Sequence, residues 1–199
     1  MVRGSSRLGA NPEIQIASQA DSDELCNLFG RVFQALVTPE SWAWKYHDPD
    51  LAGHVNILLK GAGRVLGHAG VVILPGIHEG VPAPMAQICD VMLAPDARGG
   101  AGPKGPYARL IQGLIDNLRT IIPDGLYFGF PGERPFRLGE RLGFYRRIGP
   151  VHEYLRPAVD GGPSFWRLSP LRWEDPRLDH LWMRHGHRPG CRIVRNRRY

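Results

Sequence analysis

Long apolar runs are missing from this sequence of 199 residues. Its richest apolar stretches, residues 71–75 and 86–93, are far shorter than the roughly 20 residues needed to cross a bilayer. The first ten residues are polar and lack the apolar centre of a secretory signal. We therefore expect a protein without membrane association and with a cytoplasmic location.

Cysteine is also scarce. The three cysteines, Cys26, Cys89 and Cys191, are odd in number and widely separated, which argues against a disulfide framework. His185 and His187 lie near Cys191 in the sequence, but a fourth zinc ligand is not apparent and the segment is otherwise basic. The prediction is a protein that uses no metal.

Two common catalytic motifs are absent as well. There is no Gly-x-Ser-x-Gly elbow and no Walker loop, so neither a serine hydrolase nor a P-loop nucleotide hydrolase is indicated. The net charge is +6, and the C-terminus is rich in arginine. The arginines concerned are Arg184, Arg188, Arg192, Arg195, Arg197 and Arg198. A solvated basic tail explains them, and a nucleic-acid-binding protein ranks last because no recognition motif accompanies the charge.

Apolar periodicity divides the chain into three parts. Residues 1–13 show none and are predicted to form a flexible arm. Residues 14–155 carry the patterns of one domain, and residues 156–199 form a linker followed by a helical segment. The predicted elements of the domain are a strand at 14–17, helices after Asp21 and Pro39, strands at 54–60, 64–74 and 85–93, a helix from Tyr107 to Leu118, a strand at 126–130, a helix at 135–142 and one or two strands over 144–154.

The order of these elements predicts a crossover connection. A strand joined through a long helix to a following strand normally lies parallel to it in the same sheet. Residues 86–93 and 126–130 should therefore be parallel neighbours. The loop that follows the first of them should face a ligand crevice.

That loop is rich in glycine and lies between an apolar strand and a helix. Glycines let the backbone approach an anion closely, and the N–H groups at a helix start attract negative charge. Arg98 and Lys104 add formal positive charge. The loop is interpreted either as a phosphate site or as an ordinary glycine-rich turn.

Two motifs together resemble the GNAT acyltransferases. Residues 95–99, Pro-Asp-Ala-Arg-Gly, are similar to the turn that opens the family's phosphate-binding loop after the fourth strand. Residues 141–145, Arg-Leu-Gly-Phe-Tyr, are similar to the family's Leu-Gly-Phe after its last helix. The resemblance covers residues 14–154. It implies an α/β (α+β) fold with a mixed, centrally splayed sheet flanked by helices, and an N-acyltransferase.

The resemblance also implies the ligands. Acetyl-CoA or another acyl-CoA would be the co-substrate, without a metal, and the acceptor would be an amine of a small molecule or sugar. A homodimer is left open. The implied contacts of the acyl-CoA are the main chain of Met92, Leu93 and Ala94 and the loop residues Arg98, Gly99, Gly100, Ala101, Gly102, Lys104 and Gly105.

The loop departs from the family's spacing. Counted from Arg98, the two small positions would be Ala101 and Pro103. Counted back from the helix, the loop is about four residues longer than usual, and Gly102 and Gly105 form the better cradle. Both registers stay open at this point.

Catalytic residues are predicted on chemical grounds. Asp90 is the candidate base, because an acid inside an apolar strand is partly desolvated. Many relatives have a tyrosine at the position of Gly139, so Tyr145 is the candidate acid in its place, although a strand tyrosine that only packs its ring is the alternative. Glu133 and Glu140 are weaker candidates on a helix surface.

Two further alternatives concern the whole chain. The C-terminal helix through Leu178 and Trp182 either docks on the first domain or begins a truncated second GNAT-like module, since its order of residues resembles the start of the chain. The altered loop and the missing tyrosine are also compatible with an acyl-CoA sensor that lacks turnover.

Overall fold

The computed structural model describes residues 12–47, 51–153, 155, 170, 172, 174–186 and 190–194. These residues form one mixed sheet flanked by helices, which confirms the predicted fold class. The strands are β1 (Glu13–Ile16), β2 (Gly53–Gly61), β3 (Arg64–His78), β4 (Val81–Leu93), β5 (Leu126–Gly129) and β6 (Cys191–Ile193). The helices are α1 (Ser22–Phe33), α2 (Pro39–Tyr46), α3 (Pro106–Ile121), α4 (Glu133–Arg141) and α5 (Arg177–Gly186).

The sheet is ordered β1-β2-β3-β4-β5, and β6 pairs with β3 beyond the end of β2. The pairs are antiparallel except β4 with β5, which are parallel as the crossover predicts. The strand β6 lies in the C-terminal segment, and the docking of the helix α5 on the first domain stays a prediction. The truncated second module stays a prediction, because the linker and the last residues lie outside the described ranges.

Helices cover both faces of the sheet. Successive residues of a strand point to opposite faces, and on β3 the ring of His68 packs against Trp42 of α2, whereas Gly67 faces Leu110 of α3. Every residue of β3 from 65 to 74 is buried, as expected of a strand covered on both sides.

The helix α3 supplies much of the core. Pro106 fits the first helical turn, where its missing N–H costs nothing. The apolar stripe of Leu110, Leu114 and Leu118 is completely buried against β2 and β3. Truncation of any of these three to alanine would cost about 2–5 kcal/mol of stability.

Two sequence predictions about local structure are wrong. The predicted long connection at 75–84 is a tight hairpin, because Glu79 and Gly80 both adopt positive φ and turn the chain within two residues. The predicted strands over 144–154 do not form in the described residues 144–153. There the Gly149-Pro150 pair disfavours pairing, and Tyr145 packs on α4 instead of joining the sheet.

The strand β4 carries a bulge at Asp90. Gly70 of β3 pairs with Cys89 and His68 pairs with Met92, so that Asp90 and Val91 together stand opposite Ala69 alone. Asp90 has a φ of 49°, a left-handed conformation that non-glycine residues adopt only at a cost. Such bulges bend a strand, and here the bend follows the last pair with β5.

The bulge is held by a buried histidine. Nδ1 of His68 lies 2.9 Å from the main-chain oxygen of Asp90, and Nε2 lies 2.9 Å from Oδ1 of the Asn56 side chain. Burial lowers the pKa of His68 to about 4, so the ring is neutral near pH 7. Because a carbonyl can only accept, Nδ1 carries the proton, and an Asn56 amide turned with its nitrogen to Nε2 satisfies the other side.

Crowding at Gly70 gives a first prediction. A Cβ at this position would overlap the hydroxyl and ring of the buried Tyr46. Gly70→Ala should therefore lower the free energy of unfolding by about 1–3 kcal/mol, the usual cost of overpacking. Urea denaturation measures it. Gly149→Ala, which places its methyl where no atom lies within 4 Å, is the matched control; equal stability of the two variants would contradict the packing described.

His68 gives a second prediction, on pH. Its ordinary pKa of 6.5 applies to the unfolded chain, which therefore takes up a proton between pH 6.5 and 4 that the folded protein does not. Stability should fall as the pH drops through this window, by at most about 1.4 kcal/mol per pH unit. His68→Asn keeps a donor for Asp90 but does not titrate, so its urea-derived stability should fall less steeply. Parallel curves for the two proteins would contradict the buried, neutral state.

Candidate functional site

The sheet opens between its two parallel strands. β4 and β5 pair only from Met85 with Leu126 to Ile88 with Gly129. β4 continues for five more residues, 89–93, whereas β5 ends at Gly129 and is followed by Phe130 and a proline. Beyond Ile88, the β5 side of β4 is therefore unpaired among the described strands, and this unpaired side is called the gap below.

Main-chain groups of β4 point into this gap. The N–H of Ala94 donates to the carbonyl of Leu66 on β3 at 2.8 Å. Because main-chain direction alternates along a regular strand, Met92 and Ala94 turn their polar groups to β3, while Leu93, beyond the bulge, turns its own away from β3 and toward the gap. The side chains of Met92 and Ala94 belong to the core, and the main-chain contacts of Met92, Leu93 and Ala94 with an acyl-CoA stay predictions.

The loop at the end of the gap closes on itself. Gly100 has a φ of 61°, and the N–H of Gly105 donates to the carbonyl of Gly102 at 2.9 Å. A Cβ on Gly105 would overlap the carbonyl oxygen of Gly100. Both glycines are therefore required by the backbone path of the loop. The steric contact with Gly100 is sufficient reason for a glycine at position 105, whichever register of the phosphate motif applies.

Donors and charge surround the loop. Gly105 is the N-cap of α3, with no side-chain cap bond, so the N–H groups of Tyr107 and Ala108 lie in the first turn ahead of the helical hydrogen bonds. Lys104 is exposed beside them. Arg98 reaches back and donates from Nε to the carbonyl of Leu93 at 3.1 Å. Arg141 of α4 donates to the carbonyl of Ala101 at 3.3 Å.

The remaining loop residues are open. Gly99 and Gly102 are exposed, and neither has an atom within 4 Å of where a Cβ would stand. A groove of about 600 Å³ lies along α3 and is lined by Ile14 of β1, Pro103, Arg109, Asn117 and Phe144 among others. None of its lining residues belongs to β4 or β5, so the groove is separate from the gap.

Asp90 is held by two residues of α2. Its Oδ2 lies 2.6 Å from Nζ of Lys45 and accepts a hydrogen bond of 2.6 Å from the hydroxyl of Tyr46. Burial, together with the neighbouring Cys89 and Asp90, raises the pKa of Tyr46, which keeps it a donor. The carboxylate thus lies on the α2 face of the sheet, two residues beyond the last β5 pair, and its role as a base stays a prediction.

Tyr145 lies on the other face. Its ring packs directly on Gly139, where a Cβ would overlap it, and stacks on Phe136 at a centroid distance of 6.4 Å. Its hydroxyl lies 3.0 Å from the hydroxyl of Tyr107, in the first turn of α3, and the Tyr107 hydroxyl also lies 3.3 Å from the carbonyl oxygen of Pro135. Burial raises the pKa of Tyr145, which keeps its proton available. The aromatic ring has thus taken the space that Gly139 leaves empty.

Other predicted residues are not part of this arrangement. Glu133 forms an ion pair with Arg137 on the surface of α4, and Glu140 is exposed on the same helix. Among the residues described, no three metal-binding side chains cluster to hold an ion; His187 lies outside them. No helix in the described ranges is long and apolar enough to cross a membrane.

Sequence reasoning missed Lys45, Tyr46 and His68. Each meets Asp90 across 22 to 45 residues of chain. A lysine and a tyrosine near the end of a short helix give no sequence signal of such a contact. A histidine in a buried strand is more often a packed core residue than part of a functional site. Only the unusual acid in β4 indicated that a partner was needed.

The fold is shared with solved structures of known class. The chain is similar to a Trypanosoma brucei acetyltransferase, with 21% identity, a TM-score of 0.56, and coverage of 73% of this chain and 100% of the other. It is similar to Arabidopsis thaliana glucosamine-6-phosphate N-acetyltransferase, with 15% identity, a TM-score of 0.55, and coverage of 73% and 99%. It is also similar to a GNAT family acetyltransferase of Staphylococcus aureus, with 13% identity, a TM-score of 0.51, and coverage of 72% of this chain and 98% of the other.

At these identities the structural likenesses show the fold alone, and no curated protein matches the chain in sequence. The family is shown by a domain model, described as acetyltransferase (GNAT) domain, that matches residues 13–149. This match spans the bulged strand, the glycine loop and Tyr145. The chain belongs to the GNAT acetyltransferase family.

Proposed function

We propose that the protein transfers an acyl group from acetyl-CoA or another acyl-CoA to an amine of a small molecule or sugar. The observation that carries the proposal is the end of β4/β5 pairing after Ile88, which leaves the last five residues of β4 without a partner on that side among the described strands. A pantetheine arm has amide groups that need hydrogen-bond partners once they leave water.

The loop suits the pyrophosphate of the same ligand. The N–H groups of Tyr107 and Ala108 lie in the first turn of α3, where a helix attracts negatively charged groups such as phosphate. Lys104 adds a positive charge, whereas Arg98 stabilises the end of β4 through Leu93. Pro103 and Pro106 reduce the number of donors, so charge and close backbone approach carry more of the binding here.

The proposed proton transfers use the two faces of the sheet. Attack of a neutral amine on a thioester carbon requires loss of a proton from nitrogen, and the leaving thiolate gains one. Asp90, on the α2 face, takes the first proton. Tyr145, on the α3 and α4 face, donates the second, because burial raises its pKa and keeps the hydroxyl protonated.

Loop closure gives a third prediction. Gly105→Ala should force the loop apart and weaken acetyl-CoA binding about ten-fold or more, equivalent to about 1.4 kcal/mol. Isothermal calorimetry measures the Kd. Gly149→Ala adds the same methyl in open space outside the loop and should bind as the wild type does. If both variants bind equally, the pyrophosphate is not held by this loop.

Tyr145 gives a fourth prediction. Tyr145→Phe keeps the ring on Gly139 and should lower kcat about 10²-fold or more, with little change in the KM of acetyl-CoA, as expected for a lost general acid. Release of CoA in the presence of a panel of primary amines measures both constants. Unchanged kcat would leave Tyr145 a packing residue. Tight acetyl-CoA binding without release, in the wild type and with every amine, would favour the sensor alternative.

A further inference from the structure

An amine already lies beside the proposed reaction site. Nζ of Lys45 is 2.6 Å from Oδ2 of Asp90, and the lysine side chain is 37% exposed, so it is reachable from solvent. Asp90 stands just beyond the point where β4 and β5 separate. The helix α2 thus brings a primary amine to a carboxylate that lies two residues beyond the last pair of β4 with β5.

From this contact we infer that Lys45 is a site of self-acylation. The inference rests on the proposed function, since the acyl donor is the acyl-CoA in the gap. It assigns a second acceptor to the same site, a lysine of the chain itself, which competes with the external amine for the acyl group.

The chemistry balances with the groups named. The Lys45 ammonium gives one proton to Asp90, and the lone pair freed on Nζ attacks the thioester carbon. A C–N bond forms and the C–S bond breaks; the thiolate leaves and takes the second proton that the nitrogen loses on becoming an amide. One ammonium group and one acyl-CoA thus become one amide and one CoA thiol, and the first proton passes from Asp90 to solvent. The flexible lysine stem, with four rotatable bonds, allows Nζ to leave the carboxylate and reach the gap.

Acylation would also change the site. The amide is uncharged, so the ion pair with Asp90 is lost and only the hydrogen bond from Tyr46 remains on that oxygen. The carboxylate would then be free to receive the ammonium group of an external acceptor. Self-acylation is therefore expected to prepare the acceptor side of the site rather than to block the donor side.

The chain provides its own control. It contains only three lysines, Lys45, Lys60 and Lys104. Lys60 forms an ion pair with Asp21 at the same distance of 2.6 Å, with a side chain 30% exposed and a carboxylate as covered as that of Asp90. It lies on β2, however, separated from the gap by β3 and β4. Lys60 therefore has the same kind of ion pair as Lys45 but lies away from the proposed position of the thioester.

The experiment incubates the full chain with acetyl-CoA and locates the added acetyl mass by peptide mass spectrometry. Lys45 should be labelled about 100-fold faster than Lys60, as a positioned base and donor would give. The rate should not depend on protein concentration, since the step is intramolecular. Lys45→Arg, which keeps the ion pair and the fold, should lose this label, whereas Lys60→Arg should keep it.

A further variant tests the base. Asp90→Asn tolerates the left-handed backbone and should slow labelling of Lys45 about 100-fold while acetyl-CoA still binds. Calorimetry on the same samples separates the two hypotheses. If acetyl-CoA binds but Lys45 carries no label, the self-acylation is overturned and the proposed function is not. If all three lysines are labelled equally, the label arises from non-enzymatic acylation by acetyl-CoA, and the self-acylation is again overturned. Absence of acetyl-CoA binding overturns the proposed function and the inference together.

Discussion

The site depends on one hydrogen bond inside the sheet, from Nδ1 of His68 to the main-chain oxygen of Asp90. A bulge leaves an unpaired carbonyl in the core, which costs about 1–3 kcal/mol if no donor reaches it. The neutral imidazole supplies that donor, and Asn56 supports it from β2. With the bulge fixed, β4 turns from β5, its later main-chain groups face the gap, and the carboxylate of Asp90 meets α2.

Most of the fold could be predicted because it is encoded locally. The helix α3 repeats its apolar residues at helical spacing, β3 and β4 are rich in branched residues, and the strand-helix-strand order fixes the parallel pair. The glycine loop and the Leu-Gly-Phe motif were equally visible, since both are contiguous in sequence. Prolines at 75, 82 and 84 misled the hairpin prediction, because positive φ at Glu79 and Gly80 decides the turn.

The polar contacts of the site could not be predicted in the same way. Lys45 and Asp90 are 45 residues apart, and their meeting depends on how α2 crosses the sheet, which no spacing in the sequence records. The close contact of Gly100 with Gly105 likewise follows from the folded path of the loop and not from a motif count. Charge and burial then act on groups that only the tertiary structure brings together.

The contact between Tyr145 and Gly139 has an evolutionary consequence. The two positions share one volume, so a large side chain can occupy it from the helix or from the segment that follows, but not from both. A relative with an aromatic residue at the helical position should therefore carry a smaller or differently directed residue six positions later. An exchange of the tyrosine between position 139 and position 145 within a lineage would therefore require glycine at position 139 before the aromatic ring appears at position 145.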